Sequence, residues 1–65
     1  MVKNRLKEIR MREYMMSAGE FAKYLGTDIK NYSNWERNVS RPNLEKALEI
    51  SKKLNRTVND IWYLE

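Results

Sequence analysis

The chain has 65 residues, a formal net charge of +4 and an isoelectric point near 9.6. This length suits one small domain, so we expect residues 1–65 to form a single domain with one compact core. Cysteine and histidine are absent, which excludes disulfides, thiolate metal sites and the usual acid–base side chain at neutral pH. We therefore expect no metal, no cofactor and no enzymatic activity. The basic charge favours a polyanionic partner.

Hydropathy gives no sign of a membrane segment. No apolar run approaches the ~20 residues that span a bilayer. The basic N-terminus, MVKNRLKEIR, is not followed by the apolar segment of a signal peptide. We therefore expect a cytoplasmic protein without membrane contact.

The first element is predicted as a helix from Met1 to about Glu13. Val2, Leu6 and Ile9 fall on one face of it. Arg10 lies beside that face, so we expect its side chain to be partly buried and to require an acidic partner. No strand is predicted in any part of the chain.

Residues 17–37 carry the signature of two short helices joined by a tight turn. Ser17 followed by Glu20 forms a capping box that starts helix 2, which runs to about Leu25. Gly26 suits the left-handed conformation that ends a helix, and Asp28 caps helix 3, which runs to about residue 37. Two helices at a short glycine-bearing turn are typical of a helix-turn-helix.

Helix 3 carries a stripe of hydrogen-bonding side chains. Lys30, Ser33, Asn34 and Arg37 follow the spacing of one helix face. Lysine can donate to guanine and asparagine can bind adenine through two hydrogen bonds, so this stripe can read base edges in a major groove. Ile29, at the exposed start of the helix, could contact a thymine methyl group. The alternative is an ordinary solvated face.

The second half of the chain is predicted to hold two more helices. Asn43 caps helix 4, in which Leu44, Ala47, Leu48, Ser51 and Leu54 follow helical spacing, and Thr57 caps helix 5. The predicted core consists of apolar or aromatic residues from all five helices and the loop before helix 4: Leu6, Ile9, Phe21, Ala22, Leu25, Tyr32, Trp35, Val39, Leu44, Ala47, Leu48 and Ile61.

Three segments, EFAKYLG (20–26), SNWERN (33–38) and RPNLEKAL (41–48), resemble the Cro/C1-type (Xre-type) helix-turn-helix family. The resemblance extends from about Asn4 to Trp62. It implies an all-α fold, a compact bundle of five short helices like the DNA-binding domain of lambda repressor. It also implies an ion pair between Arg10 and Glu36, although this chain has one residue more between Arg10 and Ser17 than the usual pattern.

The resemblance further implies which residues meet DNA. Ile29, Lys30 and Asn34 match the positions that read bases in this family. Ala18 stands where the family often has a glutamine that contacts the DNA backbone, and it leaves only its N–H for that role. With the helix ends and the basic loop, the predicted phosphate contacts are Ser17, Ala18, Arg37, Asn38, Ser40 and Arg41.

The expected function is that of a small bacterial or phage transcriptional regulator that binds specific sequences of double-stranded DNA, most simply as a repressor. A near-palindromic operator and a homodimer, at least on DNA, are expected, with the C-terminal residues Trp62, Tyr63 and Leu64 as the dimer contact. The alternative is that Trp62 and Leu64 complete the core of the monomer. The alternative function is an antitoxin or a protein-interaction adaptor built on the same fold.

Overall fold

Five helices and one two-stranded ribbon make up the chain, which the structure, a computed structural model, describes over all 65 residues. The all-α class and the five short helices predicted from the sequence are confirmed. In chain order the elements are β1 (Val2–Asn4), α1 (Leu6–Ile9) continued by a π-helical turn (Arg10–Tyr14), α2 (Ala18–Leu25), α3 (Ile29–Glu36), α4 (Leu44–Lys53), α5 (Val58–Ile61) and β2 (Trp62–Leu64).

The ribbon corrects the prediction that helix 1 starts at Met1 and that the chain has no strand. β1 pairs antiparallel with β2, with Val2 opposite Leu64 and Asn4 opposite Trp62. The helix begins only at Leu6, whose N–H donates to Asn4 Oδ1 at 3.0 Å. Val2 matches the helical spacing of Leu6 and Ile9, but its strand partner lies at the other end of the chain, where local periodicity carries no information.

The π-helical turn accommodates the additional residue between Arg10 and Ser17. A π-helical turn closes its hydrogen bonds over one residue more than an α-helix does. Here the turn ends at Met15, which takes the left-handed conformation with φ 51°. Arg10 therefore keeps its position next to the core, although the segment that follows it is longer.

The core holds twelve apolar and aromatic residues, and it differs from the prediction in α4, in the loop before it and in β2. Val39 and Leu44 are 64% and 71% exposed, and Leu48 is exposed as well, so placing these three in the core was wrong. Ile50, Leu54 and Trp62 are buried in addition to the predicted residues. The sequence of α4 fits two neighbouring apolar stripes, and the helix is rotated so that Ile50 faces the core in place of Leu48.

Candidate nucleic-acid interface

The helix-turn-helix pair is fixed by its caps and by its aromatic packing. Ser17 Oγ accepts from the N–H of Glu20, whose carboxylate accepts from the N–H of Ser17, so the predicted capping box is present. Gly26 ends α2 with φ 79°, and Asp28 accepts from the N–H of Asn31 to start α3. The rings of Phe21 in α2 and Tyr32 in α3 meet edge to face, 5.6 Å apart.

The two faces of α3 are clearly different. Tyr32 and Trp35 are buried against the core. Lys30 is exposed and forms no ion pair, and Ser33 and Asn34 are half-buried. Ile29 is 53% exposed at the first position of the helix. The four side chains predicted to read bases therefore lie on the part of α3 that the core leaves open.

Gly19 of α2 lies next to the start of α3. A Cβ atom at Gly19 would lie 3.4 Å from Ile29 Cδ1, at the short end of ordinary contact. A larger side chain here would press on Ile29, the first residue of α3. A Cβ at this position would therefore make an ordinary contact with the end of the exposed Ile29 side chain.

Asn34 is connected to the predicted phosphate contacts through both its side chain and its backbone. Its Oδ1 accepts from the Arg37 guanidinium at 2.9 Å. Its carbonyl oxygen accepts from the N–H groups of Val39 at 2.8 Å and of Ser40 at 3.3 Å. The loop after α3 is thus folded back onto the residue in the middle of the reading stripe, and the bond from Arg37 holds the Asn34 amide in one orientation.

The start of α2 offers fewer free donors than predicted. The N–H of Ser17 is already bonded to Glu20 at 2.9 Å. The hydrogen bond from the Ser17 backbone, followed by the contact with the Ser17 side chain, lowers the pKa of Glu20, so its carboxylate stays charged and would repel an approaching phosphate. The Ser17 hydroxyl and the N–H groups of Ala18 and Gly19, which have no acceptor within the helix, remain as donors.

A polar groove of about 420 Å³ adjoins α3. It brings together Thr27 of the turn, Asn31 of α3, Ser40 and Arg41 of the loop, and Lys46 of α4. Arg41 is exposed and forms no hydrogen bond or ion pair. Lys46 Nζ lies 3.4 Å from the carbonyl oxygen of Gly26 and 3.8 Å from Glu49. Two cations on one groove beside α3 suit the backbone of a nucleic acid.

A largely buried network of charged and polar side chains joins α3 to the first helix. Arg10 Nε and Nη2 donate to the two carboxylate oxygens of Glu36 at 3.1 and 3.2 Å, and Nη1 donates to the carbonyl oxygen of Met16 at 3.0 Å. The Tyr32 hydroxyl donates to the same carboxylate at 2.5 Å. The hydrogen bond to Glu36 raises the pKa of Arg10, although burial opposes it. The ion pair that the resemblance implied between Arg10 and Glu36 therefore exists in the structure.

Asn4 and Lys46 are the two residues near this surface that sequence reasoning missed. An asparagine two residues before Leu6 is a helix-start signal, which would have been noticed if Val2 had not extended the predicted helix. Lys46 lies in the first turn of a predicted helix, five residues after Arg41, and that proximity to a basic loop was the available signal.

The comparisons with known proteins agree with this geometry. A family model described as helix-turn-helix matches residues 6–61, which covers all five helices. No curated protein matches the chain significantly. No helix of this structure has the length and apolar character that crossing a bilayer demands.

Proposed function

Because the chain belongs to the Cro/C1-type helix-turn-helix family and binds specific DNA sequences through that motif, we propose that it is a transcriptional repressor. It reads the major groove with α3 and acts by occupying a promoter. The observation that carries this proposal is the open face of α3, where base-reading side chains lie directly beside a loop of phosphate donors that is bonded to Asn34.

Base reading is divided among four residues on the open face of α3. Lys30 donates to guanine O6 and N7, and Asn34 pairs with adenine through its amide. The Arg37 bond uses one lone pair of Asn34 Oδ1, which leaves the second lone pair and the Nδ2 donors for the base. Ser33 bonds to either type of base edge. Ile29 provides an apolar contact for a thymine methyl group.

Phosphate contacts surround this stripe and set the position of α3 on the duplex. Arg41 is the principal cationic phosphate contact, because its side chain is exposed and has no hydrogen bond or ion pair that DNA binding would have to break. The remaining donors are the Ser17 hydroxyl, the Ala18 N–H, Arg37, Asn38 and Ser40, and Lys46 joins them from the far side of the polar groove. The charge of Glu20 limits the contribution of the α2 N-terminus.

A homodimer on a near-palindromic operator completes the proposal. One recognition helix reads only a few base pairs, which is too little to define a site among the ~10⁶ or more competing positions in a genome. Two copies related by a two-fold axis would place two α3 helices about one turn of DNA apart, roughly 34 Å.

The surface for the second copy differs from the predicted C-terminal one. Trp62 is buried, and Tyr63 is half-covered by the Arg5 guanidinium, 4.1 Å from the ring centre. An apolar groove of about 270 Å³ lies instead beside Pro42 and Leu44, and its other apolar walls are Val2, Ala47, Val58 and Trp62.

Two features make this groove suitable for a second copy. The exposed Leu44 stands on its rim, so in a two-fold contact each copy can insert Leu44 against the groove of the other. The groove also includes Arg41 of the phosphate loop, so a copy seated there lies beside the bound DNA. The small size of the groove favours pairing on the operator over association in free solution.

Selection of bound duplexes from random DNA tests this proposal. A repressor of this kind enriches a near-palindromic sequence, and its affinity falls steeply as salt rises. Recovery of random sequences would exclude base reading by α3. Protein capture without any DNA enrichment would favour the antitoxin or adaptor function, in which the same apolar groove binds a different protein.

A further inference from the structure

Asn4 of β1 is hydrogen-bonded to three different parts of the protein. Its Oδ1 accepts from the N–H of Leu6 at 3.0 Å. Its Nδ2 donates to the carbonyl oxygen of Trp35 at 2.8 Å and to Asn38 Oδ1 at 3.3 Å. One side chain therefore joins the start of α1, the last turn of α3 and the loop that follows it.

Only one orientation of the Asn4 amide fits these neighbours. If its oxygen and nitrogen were exchanged, the oxygen would face two acceptors, and the nitrogen would face the N–H of Leu6. The three contacts thus fix the amide, and through it the amide of Asn38. Because Asn38 Oδ1 points to Asn4, its Nδ2 donors are directed to other partners.

The position of Asn38 allows Asn4 to orient its side-chain amide. Asn38 is the second residue after the end of α3, with φ 67°, a conformation that asparagine tolerates better than most residues. Its N–H donates to the carbonyl oxygen of Trp35 at 3.0 Å, the same oxygen that accepts from Asn4. The two hydrogen bonds donated by Asn4 Nδ2 therefore both reach the junction between α3 and the loop that follows it.

We infer that Asn4 is a positioning residue for DNA binding, which orients the amide of Asn38 toward a phosphate of the operator. This inference rests on the proposed function. It assigns to the ribbon, which lies outside the helix-turn-helix, a role in holding the loop beside α3. Asn4 itself touches no DNA in this arrangement.

The substitution Asn4→Ser separates the two roles of the side chain. Serine retains an acceptor for the N–H of Leu6 and so keeps the start of α1, but it cannot reach Trp35 and Asn38 with two donors. Asn4→Thr does the same with a residue that favours a strand, and it replaces Asn4→Ser if that variant does not fold. Asn59→Ser is the matched control, since Asn59 is exposed in α5 and forms no side-chain hydrogen bond.

The affinity for the selected duplex is measured for the wild type, Asn4→Ser, Asn38→Gly, the double variant and the control Asn59→Ser, well below each melting temperature. Glycine at position 38 removes the amide and keeps the positive φ. We expect Asn4→Ser to weaken binding about tenfold in the wild-type background, the size of one lost hydrogen bond to a charged group. In the Asn38→Gly background the same substitution should weaken binding several-fold less, because the group it positions is gone.

Three outcomes would overturn the inference. Wild-type affinity in Asn4→Ser would show that the loop does not depend on Asn4. An equal loss in both backgrounds would reduce Asn4 to a general stabiliser of the fold. A wild-type chain that binds no duplex at all would remove the proposed function and this inference together, whereas the first two outcomes leave DNA binding intact.

Discussion

The Arg10 guanidinium and the Glu36 carboxylate face each other across the space between the first helix and α3, joined by two parallel hydrogen bonds of 3.1 and 3.2 Å. Their side chains are only 13% and 15% exposed. Each charge therefore depends on the other, because a buried charge without a partner is costly. This pair joins α3 to the N-terminal part of the chain.

Removal of one partner should destabilise the protein strongly. Arg10→Met leaves the Glu36 carboxylate buried with only Tyr32 as a donor and should cost about 3–5 kcal/mol, which is comparable with the whole stability of so small a domain. The double variant Arg10→Met with Glu36→Gln carries no unpaired charge and should recover part of the loss. Urea denaturation measures both. A single variant as stable as the wild type would mean that the pair contributes nothing.

High pH should weaken the same network through Tyr32. Burial, followed by the hydrogen bond to Glu36, raises the pKa of Tyr32 above its ordinary value of 10.0. A group with a raised folded-state pKa stabilises fully below its unfolded pKa, and that contribution is lost as the pH rises further. The free energy of unfolding should therefore fall above about pH 10.

Denaturation between about pH 8 and about pH 11 tests this dependence. Tyr32→Phe should flatten it, because no phenol is left to ionise beside Glu36. Burial also raises the pKa of Tyr14. The variant Tyr14→Phe is therefore the control that shows how much of the pH dependence of stability comes from Tyr14. Identical slopes in Tyr32→Phe and the wild type would place the alkaline sensitivity elsewhere.

The left-handed residue after the π-helical turn is expected to be a stabilising site for glycine. Met15 has φ 51°, a left-handed conformation that is sterically unfavourable for a residue with a side chain. Its side chain is exposed and so contributes little packing energy that a glycine would lose. Met15→Gly should raise the free energy of unfolding by about 0.5–1 kcal/mol. Met11→Gly, at an exposed position inside the turn, should lower it by a similar amount. Equal signs for the two variants would contradict the conformation of Met15.

The loop arginine Arg41 should contribute affinity without specificity. With about four to six phosphates contacted per subunit, the log–log dependence of affinity on salt should have a slope of about −4 to −5. Arg41→Ala should weaken all sequences alike and flatten that slope by about one unit. Lys52→Ala, which removes an exposed charge near the end of α4, should leave it unchanged. An unchanged slope in Arg41→Ala would remove that residue from the interface.

Two exposed leucines distinguish the alternative dimer surfaces. Leu44 stands at the apolar groove, and Leu64 ends the C-terminal strand and is 80% exposed, so replacing either by glutamate should leave the monomer folded. Leu44→Glu should abolish the extra affinity for a full palindrome and keep the affinity for a half-site. Leu64→Glu should bind both duplexes like the wild type. The opposite pattern would return the contact to the C-terminal residues.

The caps, the turn and the reading stripe were predictable because each is local. Each of these signals joins residues at most four positions apart: Ser17 with Glu20, Gly26 with the last turn of α2, and Asp28 with the N–H of Asn31. The residue types in a short segment are therefore enough to predict them. The separation of α3 into Tyr32 and Trp35 on one face and Lys30 and Asn34 on another follows from the helical period. The match to known sequences then identified the family.

The sequence by itself thus determined the helix-turn-helix, the charge of its open face and the aromatic side that anchors it. Tertiary structure alone decided the ribbon, the rotation of α4 and the tether from Asn4 to Asn38, because each joins residues far apart in the chain or selects between equally spaced stripes. Val2 became a strand residue only when β2 returned to pair with it. Leu48 gave way to Ile50 because the space left by the other helices, and not the pattern within α4, fixed which side chains could be buried.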